Sequence, residues 1–157
     1  MSDSVQPALV STGPRQETLT FELAGDVYGV PLRRVREILR PPPVTEVPRS
    51  PPGIVGVVSV RGRITTVVDP RRKLGLITGG ATPRSRILLV EGHGEIVGLW
   101  VDAVLKVHRL AEREIELASV LGGAVAEHIR GIGRPARERN EAPQVIILLD
   151  LDALLPR

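Results

Sequence analysis

Residues 53–76 read GIVGVVSVRGRITTVVDPRRKLGL, and this stretch decides the fold. Two β-branched runs, Val55–Val60 and Ile64–Val68, flank Arg61-Gly62-Arg63. Val, Ile and Thr lose χ1 freedom in a helix and fit a pleated surface, so both runs are expected to be strands. Gly62 can take positive φ, and a short Gly-containing connection turns such a pair into an antiparallel hairpin. Asp69 then offers an acceptor to the first free N–H groups of a helix, Pro70 suits its first position, and Gly75 ends it. The stretch predicts strand, tight turn, strand and capped helix. Two guanidinium groups are raised beside an apolar strand pair.

Working outward, Leu19, Phe21 and Leu23 alternate with Thr18, Thr20 and Glu22, which predicts a half-buried strand from about Glu17. Gly25-Asp26 turns the chain into a second strand at Val27–Val30. After Pro31, the positions of Leu32, Val35, Ile38 and Leu39 predict a short amphipathic helix with Arg33, Arg34, Arg36 and Glu37 on its other face. Residues 40–52 hold six prolines and read as a stiff connector around a short edge strand at Val44–Val47; a polyproline ligand is the other reading. Residues 1–16 show no sustained period and are expected to form a flexible tail ahead of a single domain over 17–157.

Beyond the hairpin, Ile77–Ser85 reads as a loop, and Arg86–Glu91 and Glu95–Val101 as strands joined at Gly92-His93-Gly94. Ala103–Leu110, Ile129–Arg134 and Gln144–Leu149 are further strands, and Asp150–Leu155 a short helix. Ala111–Val120 is expected to be a helical turn or loop, and the charged stretch Ala136–Ala142 a turn. Nine or ten short strands without a strand–helix–strand rhythm argue for barrels or a sandwich.

Composition narrows the function. A chain of 157 residues, 42% hydrophobic and 25% charged, suits one soluble domain. No apolar run approaches the ~20 residues a membrane helix needs. There is no cysteine, so thiolate catalysis, thiolate metal sites and disulfides are excluded together, which suits a reducing cytoplasm. The pI of about 10.1 contrasts with a net charge of only +3, because most cations are arginines that never deprotonate. A small basic barrel that binds nucleic acid is the alternative this pI suggests. Against it, the cations are interspersed with 18 acids, and Phe21, Tyr28 and Trp100 are too few for a stacking platform.

Signatures of catalysis are missing. The sequence has no phosphate-cradling GxxxxGK[ST], no GxGxxG after a strand, no HExxH and no GxSxG. His93, His108 and His128 share no ligand spacing, so no metal or cofactor is expected. Asp150 and Asp152 begin an apolar helix, where capping explains them better than catalysis. Trp100, on a strand, is read as core or barrel rim. These residues ask for no reaction and point to binding. Arg61 and Arg63 stand open between a solvated hairpin tip and a guanidinium fork aimed at a partner's carboxylate.

Gly53, Gly56, Arg61 and Gly62, running into an apolar strand and then Asp69-x-Arg71, resemble the signature of the CheW family of chemosensory coupling proteins. Phe21-x-Leu23, Tyr28-Gly29-Val30, Val35-Arg36-Glu37-Ile38, Val97-Gly98-Leu99, Gly131-Ile132-Gly133 and Ile147–Leu155 extend the likeness over roughly 17–155. Two departures stand out: Ser59-Val60-Arg61-Gly62 replaces the family's Asn-Leu-Arg-Gly, and Asp69-Pro70-Arg71 its Asp-Leu-Arg. The resemblance implies a mainly β fold of two small five-stranded SH3-like barrels around a shared core. It implies a non-catalytic adaptor joining the C-terminal regulatory domain of a CheA-type histidine kinase to the cytoplasmic tip of a chemoreceptor. Val35, Glu37, Gly56, Arg61 and Gly62 are then the receptor-binding residues. The length leaves no room for a kinase or receiver domain beside the CheW-like one.

Overall fold

The computed structural model describes residues 15–118, 127–136 and 141–156. Eleven strands lie within them: β1 (Arg15–Leu23), β2 (Asp26–Pro31), β3 (Val35–Leu39), β4 (Ile54–Val60), β5 (Arg63–Val68), β6 (Arg86–Gly92), β7 (Glu95–Val101), β8 (Ala103–Ala111), β9 (Ile115–Leu117), β10 (Ile129–Gly133) and β11 (Ile146–Leu149). Helix α1 (Pro70–Lys73) follows β5, and α2 (Leu151–Leu154) follows β11. None of the described helices is long and apolar enough to cross a membrane.

The strands form two sheets, ordered β8-β1-β2-β11-β10-β9 and β3-β6-β7-β5-β4. Neighbours run antiparallel except β2 with β11 and β5 with β7. The fold is mainly β, two small SH3-like barrels on a common core; three-residue β9 gives the first sheet its sixth strand. The common core takes Leu19, Phe21, Leu23 and Val30 from the first sheet and Val68, Leu88, Val90, Leu99 and Val101 from the second. Successive residues on a strand face opposite ways. Ile87, Leu89, Val67 and Trp100 therefore fill the second barrel, while Leu88, Val90, Val68 and Leu99 face the shared core. Leu110, Ile146 and Leu148 fill the first barrel.

The central hairpin forms as its sequence predicts. Val60 pairs with Arg63, so Arg61-Gly62 is the whole loop, with φ of 47° and 80°. Positive φ at both central residues is the type I′ turn, whose twist matches that of the strands. Asp69 caps α1 by accepting from the Arg71 backbone N–H at 3.0 Å.

The expected helix after Pro31 is absent. Leu32–Arg34 is a single 3₁₀ turn, and Val35–Leu39 is β3, an edge strand paired with β6. The register shifts between Val35 and Glu37, and this bulge breaks the two-residue alternation that would have marked a strand. What is left imitates a helical period, yet Ile38 is 43% exposed rather than core.

Two further expectations need adjusting. The Ala111–Val120 stretch contains a 3₁₀ turn at Glu112–Glu114 and then β9; residues 119–126 lie outside the described residues. Of the expected tail, 1–14 lies outside them, and Arg15 and Gln16 already belong to β1. The 136–142 turn falls mostly on 137–140, also outside.

The Pro-rich connector lies across β4. Thr45 N–H donates to the Val57 carbonyl at 2.9 Å, and Val57 N–H donates back to the Thr45 carbonyl at 2.8 Å. Val44 packs on the cluster inside the second barrel.

Candidate docking groove

The second sheet has two edge strands, β3 and β4. Arg61, in the turn after β4, reaches Glu37 on β3 and grips it with both terminal guanidinium nitrogens. Nη1 donates to Oε2 at 3.1 Å and Nη2 donates to Oε1. The fork thus spans the open mouth of the barrel from one edge of its sheet to the other. Beside it runs a groove of about 760 Å³ bordered by Val60, Ile64, Leu89, Ile96, Arg63 and Glu95. Arg61's hydrogen bonds hold the Glu37 carboxyl below the usual glutamate range, and Glu37 raises Arg61 in turn. Both groups are solvated, so the pair fixes geometry more than it stabilises the fold.

Two expected site residues meet here, Glu37 and Arg61. Gly62 forms the exposed tip that aims Arg61, and no atom stands within 4 Å of the Cβ it lacks. Val35 turns away and packs on the shared core. Gly56 is buried under the connector, where a Cβ would stand 2.2 Å from the Thr45 carbonyl oxygen. Its missing side chain makes room for the strap and does not face the groove.

A second polar cluster escapes sequence reasoning. Arg71 is 4% exposed. It donates from Nε to Asp69 Oδ1 and from Nη2 to Asp69 Oδ2, both at 2.9 Å, and from Nη1 to Asp102 Oδ1 at 2.8 Å. Asp102 Oδ2 accepts from the Ala24 N–H at 2.8 Å, in the β1–β2 turn of the other barrel. Hydrogen bonding to Asp69, above all, raises the Arg71 pKa. In the sequence Arg71 looks like one cation of a solvated Arg-Arg-Lys run. Asp69, two residues earlier, was the one available hint; Asp102 is distant.

Among the described residues no group of three or more His, Asp or Glu side chains could hold a metal ion. Asp150 caps α2 by accepting from Ala153 N–H at 3.2 Å, while Asp152 pairs with Arg34 at 2.8 Å. Trp100 belongs to the core rather than the rim. The pairs Arg36–Glu91, Arg84–Glu22 and Arg134–Glu116 set some of the other cations of the described residues against acids.

Two β barrels sharing one core, with a charged fork across one barrel mouth, define a binding module of the adaptor class. The CheW-like domain family matches residues 17–157, and the chain belongs to that family. It is 31% identical over 142 residues to Protein FrzA of Myxococcus xanthus, covering 90% of this chain and 86% of that protein. It is 29% identical over 150 residues to the chemotaxis protein CheW of Rhizobium meliloti (strain 1021), covering 92% and 90%. The scaffolding protein TtCheW from Thermoanaerobacter tengcongensis superposes with a TM-score of 0.77 at 29% identity, covering 89% of this chain and 92% of that one. The chain is thus a coupling adaptor of the chemotaxis type, and nothing in these matches supports the nucleic-acid alternative.

Proposed function

We propose that this protein is a non-catalytic cytoplasmic adaptor that joins the tip of a chemoreceptor to the regulatory domain of a CheA-type kinase. The observation that carries this reading is the family match over residues 17–157, which includes the Arg61 turn and its partner Glu37. The receptor tip, an α-helical hairpin, would lie in the groove bordered by Ile64 and Ile96 under the Arg61–Glu37 fork. Helix-in-groove docking suits an apolar floor with a polar rim. Val35 and Gly56 would act from beneath, through the core and the strap, and Gly62 by setting the turn. The kinase domain, built on similar barrels in this family, would dock on exposed strand edges. Recruitment to receptors would hold the adaptor at the inner face of the membrane.

Titration calorimetry tests the proposal, using the regulatory domain of a CheA-type kinase and a receptor-tip fragment from the same organism. Saturable one-to-one binding to each is the expected result. Absence of heat with both partners overturns the coupling role.

A further inference from the structure

Three guanidinium groups border the groove, and they are not equivalent. Arg36 is held by Glu91 at 2.9 Å. Arg61 is held by both oxygens of Glu37. Arg63 has neither an ion pair nor a hydrogen-bonded side-chain partner among the described residues, and it is exposed. Its backbone is fixed as the first residue of β5, opposite Val60. Alternation puts it on the face of β5 that carries Thr65, which also borders the groove, and Val67, which lies in the barrel interior. Next to it, Ile64 is 73% exposed, and across the groove Ile96 is 42% exposed.

We propose that Arg63, rather than Arg61, is the specificity-determining cation of the groove. It takes a carboxylate from a partner helix whose apolar stripe covers Ile64 and Ile96. This inference rests on the groove being the receptor site. The chemistry separates the two arginines. For Arg61 to take an incoming acid, a bidentate charge-assisted pair must open, and Glu37 would then face a second carboxylate. Arg63 meets no such competitor. Glu95, also without a partner among the described residues, borders the same groove and repels an acid from its own side. A helix with one acid beside its apolar stripe therefore has a preferred direction in the groove. Arg61 and Glu37 serve as a positioning pair that keeps the mouth open at a fixed width.

The test uses the full-length protein and a dimeric coiled-coil fragment of a chemoreceptor tip from the same organism. Affinity is measured across a salt series for wild type, Arg63→Gln, Arg63→Glu and Arg61→Gln. Rim charges act mainly on association and salt dependence. Arg63→Gln should weaken binding about tenfold and flatten the salt dependence, with thermal unfolding unchanged. Arg63→Glu should weaken it further, and one acid-to-Lys change in the fragment should restore it. If Arg63→Gln keeps wild-type affinity and salt slope while Arg61→Gln loses both, the assignment of roles is overturned and the groove reading stands. If the wild-type protein does not bind the fragment at all, the groove reading falls and takes this inference with it.

Discussion

Arg71 Nη1 lies 2.8 Å from Asp102 Oδ1, and the contact joins the helix that closes one barrel's hairpin to the residue where the chain crosses into the other barrel. Asp102 stands between β7 and β8, its N–H donating to the Glu22 carbonyl at 3.0 Å and its carboxylate accepting from Ala24. One guanidinium thus ties three chain segments, two of them from the opposite barrel.

Arg71→Ala should be the most damaging single change outside the apolar core. It leaves Asp69, 2% exposed, with only the longer 3.7 Å contact to the half-exposed Arg72 guanidinium. Breaking such a pair from one side costs roughly 3–5 kcal/mol. Urea denaturation should show that loss. Arg71→Lys should recover only part of it, because an ammonium cannot fork to both oxygens of Asp69 while reaching Asp102. Wild-type stability in both variants would contradict the clamp.

Gly56→Ala should loosen the connector. The new methyl would occupy the space 2.2 Å from the Thr45 oxygen, so the strap has to lift from β4. Overpacking of this kind costs about 1–3 kcal/mol. Hydrogen exchange at the Thr45 and Val57 amides should accelerate, while the amides of the β1–β2 ladder in the other barrel keep their protection. Unchanged exchange at Thr45 would show that the strap bears no load.

The Glu37 carboxyl should titrate below the ordinary glutamate value, and in Arg61→Gln it should return toward that value. The sign follows from a depressed folded pKa: the pair is intact above the unfolded-state value and is lost as pH falls through the folded one. Carbon-detected NMR of the Glu37 side chain reads this directly. Global unfolding should scarcely respond to Arg61→Gln, since the pair is solvated.

His108 should titrate below the usual histidine value, because burial disfavours its imidazolium and Lys106 adds repulsion that Glu114 only partly offsets. Below about pH 6.5 the unfolded chain therefore takes up a proton before the native one, so stability declines as pH drops and levels off once the folded group has titrated. Above that range the residue contributes no pH dependence. His108→Gln should remove this slope from pH-dependent denaturation curves. A slope that persists in the variant would assign it to another group.

The hairpin of β4 and β5 was legible because β-branched runs, a Gly turn and an Asp-Pro cap all point to one local answer. The strand at β3 was not, because a bulge between Val35 and Glu37 erased its alternation and left a helix-like spacing. Strand β9 has only three residues, too few for a period to show. Arg61 and Glu37 were legible as site residues only through family resemblance. Their pairing depends on a barrel closing edges that are 24 residues apart in sequence. Gly56 carries the same lesson in reverse: its motif position suggested contact with a partner, and its surroundings assign it to the strap. Arg71 stayed hidden because burial of a charge depends on the partner it meets across the fold, and Asp102 is 31 residues on.

The strand orders carry a consequence for how the protein is made. The second barrel, β3 to β7, is continuous in sequence, whereas the first is assembled from β1 and β2 together with β8 to β11. On the ribosome the later-numbered barrel can close as soon as β7 emerges. The opening hairpin must wait for β8 and then for β11, the parallel neighbour of β2. Such long-range pairing is slow, and it leaves the edges of β1 and β2 bare during synthesis. The barrel whose first strands are translated earliest is thus the last to be finished, and a stalled or clipped nascent chain would lose the first barrel while keeping the one that carries the groove.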